Sequence, residues 1–210
     1  MILQAIEMQA VRSHYDRREA LRRRLLTLLE RNDAEGYAQL AVGISDEAGN
    51  YSAAEHRLGS RIIAENGNNA VLALGNALNT CPRRQLKKTI DDARLRYVRI
   101  GVGSEMAMML RPRDFWVANV RTLWAMLLLR HGDDIETANA ELRLYRNADP
   151  DSEMNYSLWA ELHPNLEEPM KRLSNLGRQE SERMGMEPGS LTYLWADAIA
   201  NELFIRQTPA

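Results

Sequence analysis

The sequence predicts an all-α protein, an irregular bundle of about nine to eleven helices, and three features of the 210-residue chain carry that expectation. Apolar residues recur at steps of three and four along most of its length, the spacing that lines one side of a helix. Sustained apolar/polar alternation is missing, and no Asn-Gly or Asp-Gly turn joins two β-branched runs. Finally, one tripeptide occurs three times, as Leu123-Trp124-Ala125, Leu158-Trp159-Ala160 and Leu194-Trp195-Ala196, at intervals of 35 and 36 residues. A two-helix unit with short connections has about that length. Solenoid-like stacking of helix pairs over residues 114–206 is therefore weighed against an irregular bundle whose tryptophans fill corresponding core gaps. The bundle is preferred, because the distance from helix start to tryptophan varies and the intervening sequence is not self-similar.

Taken in order, residues 2–31 read as a first helix with Ile6, Tyr15, Leu21, Leu25 and Leu28 inward and Arg17, Arg18, Arg22, Arg23 and Arg24 largely on the opposite side. Asn32-Asp33 ends it and caps a shorter helix to about Ala41, and 43–50 reads as a loop. Ser52 and Glu55 form a capping box for a helix with Ala54, Leu58 and Ile62 inward, ending at Asn66-Gly67. Asn68 or Asn69 then caps a segment carrying Val71, Leu74 and Leu78. Pro82 suits the first turn of a helix bearing Leu86, Ile90, Ala93, Tyr97 and Ile100, which Gly101 and Gly103 are expected to end. Ser104 caps a short Met-rich turn to Leu110, and Pro112 breaks it.

From Asp114 to Arg130 the residues are apolar on most sides, so this helix is expected to be the most enclosed. Asp133 or Asp134 caps a helix with Ile135, Ala138, Leu142 and Tyr145. Asp149-Pro150 starts the next, with Met154, Leu158 and Leu162; another follows His163-Pro164 with Leu166, Met170, Leu173 and Leu176. Pro188-Gly189-Ser190 introduces the last, bearing Leu191, Leu194, Trp195, Ala198, Ile199 and Leu203.

The length suits one all-α domain over 1–210 with a soft division near 111–114, separating a basic helical part (1–110) from an acidic, tryptophan-containing part (114–210). Residues 1–130 carry a net charge of +6 and residues 131–210 one of −8, giving −2 in total. Such a layout suits a basic binding face, head-to-tail association, or neutralisation within the fold. With Cys81 as the only cysteine, neither an intramolecular disulfide nor a cysteine-based zinc site can form, which points to a reducing compartment. The N-terminus lacks the pattern of a signal peptide, and no apolar run approaches a membrane span, so a cytoplasmic protein without membrane contact is expected.

Residues with catalytic chemistry are scattered. His131 ahead of Asp133 and Asp134 reads as one helix end followed by a cap, and His163 before Pro164 as another helix end. His56 beside Glu55 lies in an ordinary capped helix. No Gly-x-Ser-x-Gly elbow occurs, and Cys81, although next to Arg83 and Arg84, reads as a small buried residue. Gly101-Val102-Gly103-Ser104, with Arg99, Arg111 and Arg113 nearby, is a candidate anion loop that lacks the spacing and the lysine of a phosphate loop. No cofactor is implied.

The stronger lead is basic. Arg17, Arg18, Arg22, Arg23 and Arg24 on the first helix, and Arg83, Arg84, Lys87 and Lys88 on the fifth, are candidate contacts for nucleic acid or another anion, diluted by Asp16, Glu19, Asp91 and Asp92. The function expected from the sequence is a non-enzymatic cytoplasmic interaction module, an adaptor, regulator or inhibitor that binds a protein partner or itself. Ten methionines, Met106, Met108 and Met109 among them, suit adaptable contacts as well as core gaps. The alternatives are a nucleic-acid-binding regulator using the basic helices, and an enzyme whose helical site gathers distant residues such as His131 or His163 with carboxylates.

Overall fold

The computed structural model describes residues 6–145 and 153–207, within which the chain forms twelve α-helices and no strand. It divides into two compact units, Asp16–Phe115 and Met1–Tyr15 with Trp116–Ala210. The first helix, α1 (Met8–Glu30), is continuous across that division.

In the Asp16–Phe115 unit, α1 is followed by α2 (Ala34–Ala41), α3 (Tyr51–Glu55), α4 (Gly59–Asn66), α5 (Asn68–Thr80), α6 (Leu86–Ala93) and α7 (Ile100–Leu110). Asp33 caps α2 by accepting from the Gly36 amide. Asn50, rather than a Ser52/Glu55 box, caps α3 through the Ala53 amide, because the Ser52 hydroxyl is committed to Glu105. The helix expected from Ser52 to Asn66 is two, separated where Arg57 takes a left-handed backbone (φ 53°).

Gly101 and Gly103 do not end a helix. α6 stops at Ala93 with Arg94 left-handed, and both glycines lie inside α7, of which every residue from Val102 to Leu110 is buried. The reason is close packing: a Cβ on Gly103 would come within 2.6 Å of Ile90 Cδ1 on α6. The Met-rich segment is thus no short turn but the enclosed helix of this unit, and the flexible methionines fill its irregular surroundings.

The other unit contains α8 (Val120–Arg130), α9 (Ile135–Tyr145), α10 (Glu153–Asn165), α11 (Glu167–Arg183) and α12 (Thr192–Gln207), with the first two turns of α1. The helix expected from Asp114 begins only at Val120: Asn119 accepts from the Arg121 and Thr122 amides while Thr122 Oγ1 accepts from the Asn119 amide, a reciprocal box that fixes the start. The Asp149-Pro150 helix start lies outside the described residues. α12 packs against both α11 and α8, which closes a bundle; a solenoid would have kept α8 and α12 apart. Trp124 and Trp195 are fully buried, but Trp159 is only half-buried, so the middle copy of the tripeptide is not a core copy.

Aromatic contacts seat α12, whose residues Tyr193 to Leu203 are all buried. Trp195 stands edge-on to Tyr15 with centroids 5.5 Å apart, Tyr193 lies 5.3 Å from Trp116, and Phe204 meets Trp124 at 6.0 Å. The Tyr15 phenol accepts from the Ser190 and Leu191 amides, supplying the leading edge of α12 with an acceptor from α1. On α11, Gly177 lets the two helices meet, since a Cβ there would collide with Ile199 Cδ1.

Candidate functional site

The basic residues singled out in the sequence fall into three environments. Arg18 is a correction: it is fully buried, not on the outer face of α1, and donates to Glu105 Oε1 at 2.7 Å. The cause lies in the register, because Arg18 falls at helical steps of three and four with the buried Leu21, Leu25 and Leu29. Glu105 is equally buried and fully engaged. Its Oε1 also accepts from the Tyr51 amide, and its Oε2 from the amide and hydroxyl of Ser52, at 2.7 to 3.0 Å. Burial alone would raise the Glu105 carboxyl, but the Arg18 charge and the Ser52 bonds outweigh it and hold it below the ordinary carboxylate range. Arg18 further lies over the Tyr51 ring at 4.8 Å. One carboxylate therefore ties α1, α3 and α7 together.

Arg17, Arg23 and Arg24 are exposed, with Arg17 paired to Asp46 at 2.8 Å, and Arg22 is half-buried. Arg83 and Arg84 are exposed in the 3-10 turn that leads into α6, and Lys87 and Lys88 are exposed in its first turn, where Lys87 pairs with Asp91 and Lys88 with Asp92. These two clusters do not form one face. On α7, Gly103 meets α6 through Ile90, whereas Glu105 meets α1 through Arg18. Two residues correspond to about 200° of rotation around a helix, so the helices bearing the clusters lie on opposite sides of α7.

The other sequence candidates serve as structural ties. His131 ends α8 and donates to Glu141 Oε2 at 2.6 Å, while Arg130 and Tyr145 hold Oε1, so these bonds depress the Glu141 carboxyl. His163, buried near the end of α10, donates to the Trp116 carbonyl at 3.1 Å and its own carbonyl accepts from Trp116 Nε1 at 2.7 Å, with the rings stacked. His56 is exposed just beyond α3. Cys81 is buried at the end of α5, its carbonyl bound by Arg111, which also forks onto Asp114. Gly101 to Ser104, the candidate anion loop, is helical backbone within α7. Among the described residues no three His, Cys, Asp or Glu side chains are grouped to hold a metal ion.

One further arrangement joins residues far apart in the sequence. Tyr97 has a left-handed backbone (φ 64°) between α6 and α7, half-exposed beneath Arg61 of α4, whose guanidinium carbon is 4.2 Å from the ring centroid and which donates to the phenol oxygen at 3.0 Å. Asn66 both accepts from the Arg96 amide (2.8 Å) and donates to the Arg96 carbonyl (3.1 Å), while Glu65 pairs with the Arg96 side chain at 2.7 Å. Tyr97 reads in sequence as an inward helical position, and only the early stop of α6 releases it.

In comparisons with known proteins, no family model, curated protein or solved structure matches the chain.

Proposed function

We propose that this chain is a non-enzymatic helical binding protein of the cytoplasm that engages an acidic protein surface, a second copy of itself included, through the exposed arginines of the Asp16–Phe115 unit. The observation that carries the reading is how the reactive side chains are used. The side chains of Glu105, His131 and His163 each hold a helix end or join two segments, and the buried Cys81 thiol donates to the Leu78 carbonyl of its own helix, while Arg23 and Arg24 face outward with no carboxylate against them among the described residues. The Asp16–Phe115 unit has 17 Lys/Arg against 13 Asp/Glu and the rest of the chain 10 against 16, so two copies offer complementary charge. The buried lone cysteine agrees with a reducing setting. A polynucleotide groove built from both basic clusters is less favoured, since α7 lies between the helices that bear them. No helix among the described residues is long and apolar enough to cross a membrane.

Light scattering over a salt series tests the reading. A mass falling toward 24.0 kDa as salt rises, abolished by Arg23→Glu with Arg24→Glu, supports charge-driven self-association. A monomer at every salt concentration that also fails to bind polyglutamate contradicts it.

A further inference from the structure

The connection between α6 and α7 is built as a rigid basic surface. Leu95 and Val98 are buried and anchor it, whereas Arg94 and Arg96 are exposed and Tyr97 is half-exposed. Arg94 and Tyr97 both have left-handed backbones, a conformation that non-glycine residues keep only when their surroundings enforce it, and the two Asn66 bonds to Arg96 supply part of that enforcement. Charge is not balanced here. Arg61 and Glu65 are one turn apart on α4, but Glu65 is taken by Arg96, and the acids preceding Arg94, Asp91 and Asp92, are taken by Lys87 and Lys88. Arg61 is left exposed with a phenol oxygen and an aromatic face as its partners. Stacking occupies one face of a guanidinium and holds its plane, leaving most of the five edge donors directed outward.

We infer that Arg61, Tyr97 and Arg96 form an oxyanion-binding site for a phosphate-bearing ligand. The stacked Arg61 fork supplies in-plane donors to two phosphate oxygens, and Arg96, held by Glu65 one turn along α4 from Arg61, adds the guanidinium N–H donors that Glu65 does not take. The site is distinct from the α1 arginines and stands whether or not the chain self-associates.

The test is an NMR titration of the full chain with sodium pyrophosphate, following the arginine Nε–H signals and the Tyr97 amide. Saturable shifts confined to Arg61, Arg96 and Tyr97 are expected, with Arg113, an exposed arginine elsewhere in the unit, unmoved. Arg61→Gln should weaken binding at least about tenfold, and Arg61→Lys nearly as much, because an ammonium keeps the charge and loses the fork. Unchanged circular dichroism and an unchanged Arg18 signal in both variants show that the fold persists. A parallel titration with a short oligothymidylate identifies the source of the phosphate: tighter saturable binding assigns it to a polynucleotide backbone, weaker binding to a small ligand, and both require Arg61. Non-saturating shifts of similar size at all exposed arginines, or an Arg61→Lys variant that binds as the wild type does, would overturn the inference.

Discussion

The two most enclosed helices, α7 and α12, are held by different physics. α7 presents mostly small and flexible residues and one buried charge, and the polar bonds of Glu105 to Arg18, Tyr51 and Ser52 fix its neighbours. α12 is set by large rings, with Trp195 against Tyr15, Tyr193 against Trp116 and Phe204 against Trp124, and by Gly177, which removes the side chain that would hold α11 away. Polar ties are directional and costly to break singly. Aromatic packing is set mainly by volume and area, and its loss scales with the volume removed.

The largest effects should come from removing either device. Trp195→Ala and Trp124→Ala are each expected to lower stability by about 3–5 kcal/mol, and Trp159→Ala by clearly less, because that ring is only half-buried. Urea unfolding of the three variants measures this, and equal losses would place Trp159 in the core. Gly177→Ala should cost about 1–3 kcal/mol by overpacking Ile199, with a lower melting temperature and no change in helix content.

Smaller still is the clasp between α8 and α9. Bonds from His131, Arg130 and Tyr145 depress the Glu141 carboxyl, so its contribution is fully present above the ordinary glutamate range and is lost as pH falls through the lowered folded value. Glu141 is partly open to solvent, which limits the effect to about 1 kcal/mol or less. Wild type should therefore lose more stability than Glu141→Gln between neutral pH and the acid side of that range; parallel losses would show that the clasp contributes nothing. The smallest change expected is at the surface, where Arg23→Glu and Arg24→Glu should each shift stability by about 0.5 kcal/mol or less while altering association.

Much of the helical grammar was legible because capping and periodicity are local. The ending of α1 near Asn32, the cap at Asp33 and the enclosure of Leu194, Trp195, Ala198, Ile199 and Leu203 all follow from residues a few positions apart. What local pattern does not reveal depends on contacts between distant segments. Gly101 and Gly103 carry the sign of a helix end, yet Gly103 is required by Ile90; Asp114 looks like a cap, yet Asn119 and Thr122 set the start of α8. Arg18 reads as surface because arginine is mostly exposed, although two signals mark the pair. It stands in register with Leu21, Leu25 and Leu29, and Glu105 is the only charge between Ile100 and Leu110. The Arg61–Tyr97 stack had no local signal, since it joins side chains 36 positions apart.

The buried pair is the point on which the account of the Asp16–Phe115 unit turns, and a double-mutant cycle on Arg18→Met and Glu105→Gln, read by urea unfolding, tests it most directly. Each single substitution should cost about 3–5 kcal/mol, because it leaves a buried charged or strongly polar partner unanswered, and the double variant should cost markedly less than the two together. Additive losses, or single variants as stable as the wild type, would contradict a structural role for the pair and with it the assignment of the exposed arginines alone to binding.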